Sequence, residues 1–83
     1  MTLLELVNYL NQGREMEISI DGQSFFLTPT CSQGMSSGKY SIYDNQKQCY
    51  IFVGSKADVL EYQFFTDVSF KKALCKFSFD YIL

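Results

Sequence analysis

The sequence predicts an α+β fold: a single small domain over residues 1–83, with an N-terminal helix packed on a twisted antiparallel sheet of two hairpins, followed by short C-terminal helices and a terminal segment patterned as a strand. Three observations point there. Leu3, Leu6, Val7 and Leu10 fall at helical spacing, residues 15–28 and 39–53 alternate with period two around turn-forming pairs, and Phe70, Ala73 and Leu74 return to helical spacing.

The first helix, over 2–12, has its start written in the sequence. Thr2 and Glu5 form a T-x-x-E capping box, and Gly13 can close the helix as a left-handed residue. The leucine stripe is expected to face the sheet, because a small sheet has an apolar face that something must cover. Leu6 is therefore read as core.

Asp21-Gly22 is a strong two-residue hairpin signal and fixes a register. With Ile20 opposite Gln23, Ile18 faces Phe25 and Met16 faces Leu27 on one side. Ser19 and Ser24, Glu17 and Phe26, and Glu15 and Thr28 share the other. The first side is apolar, which makes Ile18 core; the second is polar except for Phe26. Pro29 is expected to end this hairpin because it cannot donate to a ladder, leaving 30–38 as a polar loop. Gly34, Ser36, Ser37 and Gly38 give that loop a phosphate-loop flavour, but no Gly-Lys-Ser/Thr ending or following helix supports it.

A second hairpin is expected around Asn45-Gln46. Placing Asp44 opposite Lys47 puts Tyr40, Ile42, Cys49 and Ile51 toward the core, and Lys39, Ser41, Tyr43, Tyr50 and Phe52 on the outer face. Ser55 and Asp58 make another capping box, opening a helix to about residue 62 with Val59 and Leu60 inward. Asp67 or Ser69 can cap a last helix holding Phe70, Ala73 and Leu74. Phe77, Phe79 and Tyr81 then alternate with Ser78 and Asp80 as a strand, or continue the helix if packing overrides propensity.

Composition narrows function by exclusion. There is no His, so no imidazole base, no Ser-His or Cys-His dyad and no nitrogen ligand for zinc. Glu15 and Glu17 share a face, but it is the solvated side of a hairpin. A non-enzyme without a cofactor or metal is the expectation. Seven Lys/Arg against nine Asp/Glu, with no basic run, argue against nucleic acid. No apolar run approaches the roughly 18 residues of a membrane span, so no membrane partner is expected and the chain reads as cytoplasmic. The three cysteines lack a CxxC spacing and are expected as free thiols, Cys49 and Cys75 filling apolar holes and Cys31 lying in the polar stretch.

What remains is a surplus of rings, eight Phe and six Tyr. On the registers above, Phe26, Tyr43, Tyr50 and Phe52 project from the sheet face opposite the first helix, and such anchors are enriched at the centres of protein interfaces. A competing reading has the C-terminal segment, with Phe64, Phe65, Phe77 and Phe79, covering that face as a second core layer. A base-stacking face for single-stranded nucleic acid lacks both signature and charge. In overall plan the chain resembles the small antagonists encoded by bacterial mobile elements, among them some anti-CRISPR and toxin-immunity proteins; no motif residue carries the likeness, so no functional position is transferred. The functional expectation is a protein partner, as for a small inhibitor or adaptor, with structural self-association as the alternative.

Overall fold

The computed structural model describes residues 1–32 and 35–83, and side chains except at 31–37. The expected Cys31 thiol and Gly34 of the polar stretch fall outside them. The chain runs α1 (Leu3–Asn11), β1 (Met16–Ile20), β2 (Gln23–Ser32), β3 (Met35–Asp44), β4 (Cys49–Ser55), α2 (Lys56–Glu61), a 3₁₀ turn at Leu74–Lys76 and β5 (Ser78–Ile82). All five strands form one antiparallel sheet of order β4-β3-β2-β1-β5.

The capping box of α1 forms in both directions, Thr2 N–H donating to Glu5 Oε1 at 2.9 Å and Glu5 N–H to Thr2 Oγ1 at 3.1 Å. The bond from the Thr2 backbone, with that of its hydroxyl, holds the Glu5 carboxyl below its ordinary range. Leu6 and Leu10 are buried, while Leu3 is exposed, so the buried stripe is narrower than the spacing suggests. Gln12 ends the helix and Gly13 follows at φ +71°.

Tyr40 pins the end of α1 to the sheet. Its ring is buried, and its hydroxyl donates to the Arg14 carbonyl at 2.8 Å with the Leu10 carbonyl at 3.3 Å sharing the proton. The Leu10 carbonyl, in the last turn of the helix, also accepts from Gly13 N–H at 3.1 Å. Burial first, and the Glu15 charge second, push the phenol from 10.0 up to about 12. The folded chain thus holds this proton more tightly than the unfolded chain, so the contribution is complete below pH 10 and disappears as pH rises from 10 through about 12. Tyr40→Phe is expected to cost about 1–2 kcal/mol at neutral pH. In alkaline unfolding titrations the wild type should lose more stability than this variant across that window; parallel titration curves would contradict the assignment.

On β1 and β2, Met16 lies opposite Leu27, Ile18 opposite Phe25 and Ile20 opposite Gln23, around Asp21 at φ +49° and Gly22 at φ +78°. Beyond that hairpin the sequence reading needs correction. Pro29 does not end the strand: β2 runs to Ser32 and pairs with β3, Pro29 opposite Tyr40. Because β1 starts at Met16, opposite Leu27, β2 has β3 as its one neighbour beyond that point, and the ladder shifts between Pro29 and Cys31. Edges and bulges are where a strand tolerates proline. The two expected hairpins are joined into one sheet by the β2–β3 ladder, with no loop at 30–32 between them.

The β3–β4 register is also corrected. Asp44 lies opposite Cys49, not Lys47, because its carboxylate accepts from the Gln46 and Lys47 backbone N–H groups at 2.9 and 3.0 Å and organises a longer loop, closed by Gln48 at φ +55°. The Lys47 backbone bond, followed by those from Gln46, holds the Asp44 carboxyl below its ordinary range. The Gln46 side chain imitates a strand neighbour for Ser24, accepting from its N–H at 2.6 Å and donating to its carbonyl at 3.0 Å. Tyr43 then faces Tyr50, the ladder shifts, and Ile42 faces Phe52. Ile51 is the extra residue of this bulge and Phe52 is moved to the core side, where its ring packs 5.1 Å from Tyr62. Gly54 makes room for it, since a Cβ there would sit 2.6 Å from Phe52 Cζ.

α2 follows its Ser55/Asp58 capping box, with Val59 buried. The expected last helix is replaced by turns and the 3₁₀ turn. Phe70 and Lys71 N–H groups donate to the Tyr62 and Leu60 carbonyls at 2.8 and 3.0 Å, tying the segment to the end of α2, and three-residue bonds such as Lys76 N–H to Ala73 carry it onward. The same apolar residues are buried without an α-helix: Phe70, Ala73, Leu74 and Phe77 join the core. β5 pairs with β1, but a shift between Glu17 and Ile18 makes Asp80 a bulge, so Phe79 faces inward and Tyr81, opposite Glu17, faces outward. Cys49 and Cys75 are exposed free thiols, not core fillers; Cys49 opens β4 and Cys75 is the middle residue of the 3₁₀ turn, both outside the apolar cluster.

Candidate protein-binding face

The sheet has one covered face and one open one. On the covered side Met16, Ile18, Ile20, Phe25, Leu27, Tyr40 and Ile42 meet Leu6 and Leu10 of α1, Val59 of α2, and the C-terminal rings. Those rings form a chain of edge contacts, Phe64 with Phe25 at 4.8 Å, Phe70 at 5.3 Å and Phe77 at 5.1 Å. The C-terminal segment therefore thickens the core on the α1 side and leaves the other face to solvent among the described residues.

On the open face each strand contributes one residue to a row: Tyr50 (β4), Tyr43 (β3), Phe26 (β2), Glu17 (β1) and Tyr81 (β5). Tyr43 and Tyr50 meet edge to face at 5.0 Å, an arrangement that aromatic pairs prefer. Phe26 and Tyr43 are half-buried, Tyr50 is 64% exposed and Tyr81 53%. The next row holds Thr28, Ser41 and Val53, the last 59% exposed. Here Thr28 Oγ1 and Ser41 Oγ hydrogen-bond at 3.0 Å, satisfying each other, at the floor of an open groove of about 370 Å³ lined by Thr28, Pro29, Thr30, Ser41, Tyr50 and Val53.

Three of the four candidate anchors, Phe26, Tyr43 and Tyr50, are thus adjacent on one face, and Phe52 lies on the opposite side. Tyr81 and Val53 lie exposed on the same face, where the sequence pattern does not place them. Period-two counting hides both, because the bulges at Ile51 and Asp80 reverse the parity of each edge strand; the available hint was the aromatic or β-branched residue next to a polar or ring-rich stretch, which is too common to single them out.

No protein-family model, curated protein or solved structure matches this chain. Among the described residues no three His, Cys, Asp or Glu side chains are grouped to hold a metal ion, and no helix is long and apolar enough to cross a membrane.

Proposed function

We propose that this chain is a non-enzymatic protein-binding module that acts by direct contact through the open face of its sheet, as a small antagonist or adaptor does. The observation that supports this reading is the aromatic row of Tyr50, Tyr43, Phe26 and Tyr81, left outside the core while the chain's other rings gather on the far side. Aromatics bury much area with few rotatable bonds, and tyrosine adds a hydroxyl, which is why they anchor interfaces. Tyr50, Tyr43 and Phe26 are neighbours on adjacent strands, and Tyr50 and Tyr81 are each more than half exposed, so the rings stand where a partner could reach them. The inhibitor part of the reading draws on likeness of plan alone.

The test compares the wild-type chain, Tyr43→Ala/Tyr50→Ala and Leu4→Ala as immobilised baits in extract from the source cells. Leu4 is exposed on α1, away from the face. A protein retained by wild type and Leu4→Ala but reduced about tenfold or more with the tyrosine variant, the scale of a 1.4 kcal/mol anchor, is the expected outcome. Equal retention by all three would contradict the proposal.

A further inference from the structure

β2 is the middle strand, so the outward row is centred on Phe26, with Tyr43 and Glu17 one strand to either side and Tyr50 and Tyr81 two strands away. Two such faces can be brought together by a two-fold axis lying between the sheets and running along β2. That operation keeps every residue in its row and exchanges the two sides of the sheet. Phe26 then meets Phe26, Tyr43 meets Glu17 of the second copy, and Tyr50 meets Tyr81 of the second copy. Glu17 is the single charged residue in the row, and it falls opposite a phenol that can donate to it, twice per pair of chains; hydrogen bonds to a carboxylate are the stronger kind. An axis across the strands would instead set Glu17 against Glu17, which like-charge repulsion disfavours.

A second row fits the same axis independently. Val53, Ser41 and Thr28 occupy β4, β3 and β2, and Leu83 N–H bonds the Glu15 carbonyl at 2.8 Å to continue the row past β1. Val53 falls on Leu83 of the second copy beside the groove, and Ser41 lies toward Glu15. The four large apolar side chains most exposed on the sheet, Tyr50, Val53, Tyr81 and Leu83, thus form two pairs that one axis superposes.

We infer that the occupant of the open face is a second copy of this chain, packed face to face about a two-fold axis along β2. The inference rests on the reading of that face as a binding surface and names its partner. Five strands about 4.8 Å apart and a useful strand length of about 20 Å give a footprint of roughly 480 Å² a side. Both sides together lie at the lower edge, about 1,000 Å² in total, of what a specific interface buries, so the dimer is a weak, reversible one.

Sedimentation equilibrium over a micromolar to millimolar range tests this. Wild type should pass from monomer to dimer. Tyr43→Glu sets a carboxylate against Glu17 of the other copy at both ends of the contact and should weaken the dimer by tenfold or more. Adding Glu17→Lys to that variant puts opposite charges across the axis and should recover most of the loss; circular dichroism and the thermal midpoint of each variant establish that it is folded. A wild type that stays monomeric throughout overturns the second copy as occupant while leaving the face to a different protein. A dimer indifferent to Tyr43→Glu forms through another surface and likewise overturns the second copy as occupant of this face; the face itself falls only if the bait experiment above also shows equal retention. Loss without recovery in the double variant overturns the axis along β2.

Discussion

Replacing Phe70 with alanine is expected to remove about 3–5 kcal/mol of stability, the range for deleting a buried ring. Phe70 is 1% exposed and its ring touches those of Phe64, Phe77 and Phe79, with centroids at 5.3, 5.1 and 6.3 Å. Through Phe64 the contacts pass to Phe25 on β2 and Tyr62 after α2. One ring therefore joins the C-terminal segment to both the sheet and the second helix. The backbone bond from Phe70 N–H to Tyr62 survives in the variant, so the loss reports the ring alone. Since a small domain has about 5–15 kcal/mol in total, Phe70→Leu provides a milder companion that should stay folded and lose less. Urea midpoints at unchanged slope measure both; a loss under about 1 kcal/mol for Phe70→Ala would mean that the ring cluster is not part of the core.

Ile18→Ala should cost about 2–4 kcal/mol, and its sequence neighbour Glu17→Ala under about 0.5 kcal/mol when measured on monomeric protein. Ile18 is fully buried between Phe25 and Phe79 in the flanking strands. Glu17 sits one residue earlier and points the other way, between Phe26 and Tyr81. A strand alternates faces at every residue, so the two variants read the orientation of β1 directly. If Glu17→Ala were the costlier change, core and open face would be interchanged.

Local chemistry explains which parts of this fold could be read in the sequence. A capping box is complete within four consecutive residues, and both Thr2/Glu5 and Ser55/Asp58 form as written. The Asp21-Gly22 turn carries its own positive-φ requirement, and the alternation beside it places Ile18 and Leu27 inward. Where a side chain competes with the backbone the reading slips. Asp44 captures two backbone N–H groups and turns a two-residue turn into the loop 45–48. The bulges at Ile51 and Asp80 arise on the two edge strands, where a missing neighbour makes an extra residue cheap, and each reverses the faces beyond it. That is why counting by twos along the sequence puts Phe52 on the open face and leaves Tyr81 off it. The C-terminal segment keeps its apolar residues but not its helix, because Phe70 and Lys71 N–H groups bond the Tyr62 and Leu60 carbonyls at the end of α2, a constraint visible in no local window.

The claim that the row of Tyr50, Tyr43, Phe26 and Tyr81 is an open surface and not a second core layer is tested most directly by equilibrium unfolding of Tyr43→Ala/Tyr50→Ala, at a concentration where the wild type is monomeric. The pair loses its edge-to-face contact and some strand preference, so a cost of no more than about 1–2 kcal/mol is expected. A loss of about 3 kcal/mol or more, equal to that of a buried ring such as Phe70, would show that the face is packed as core and contradict the account.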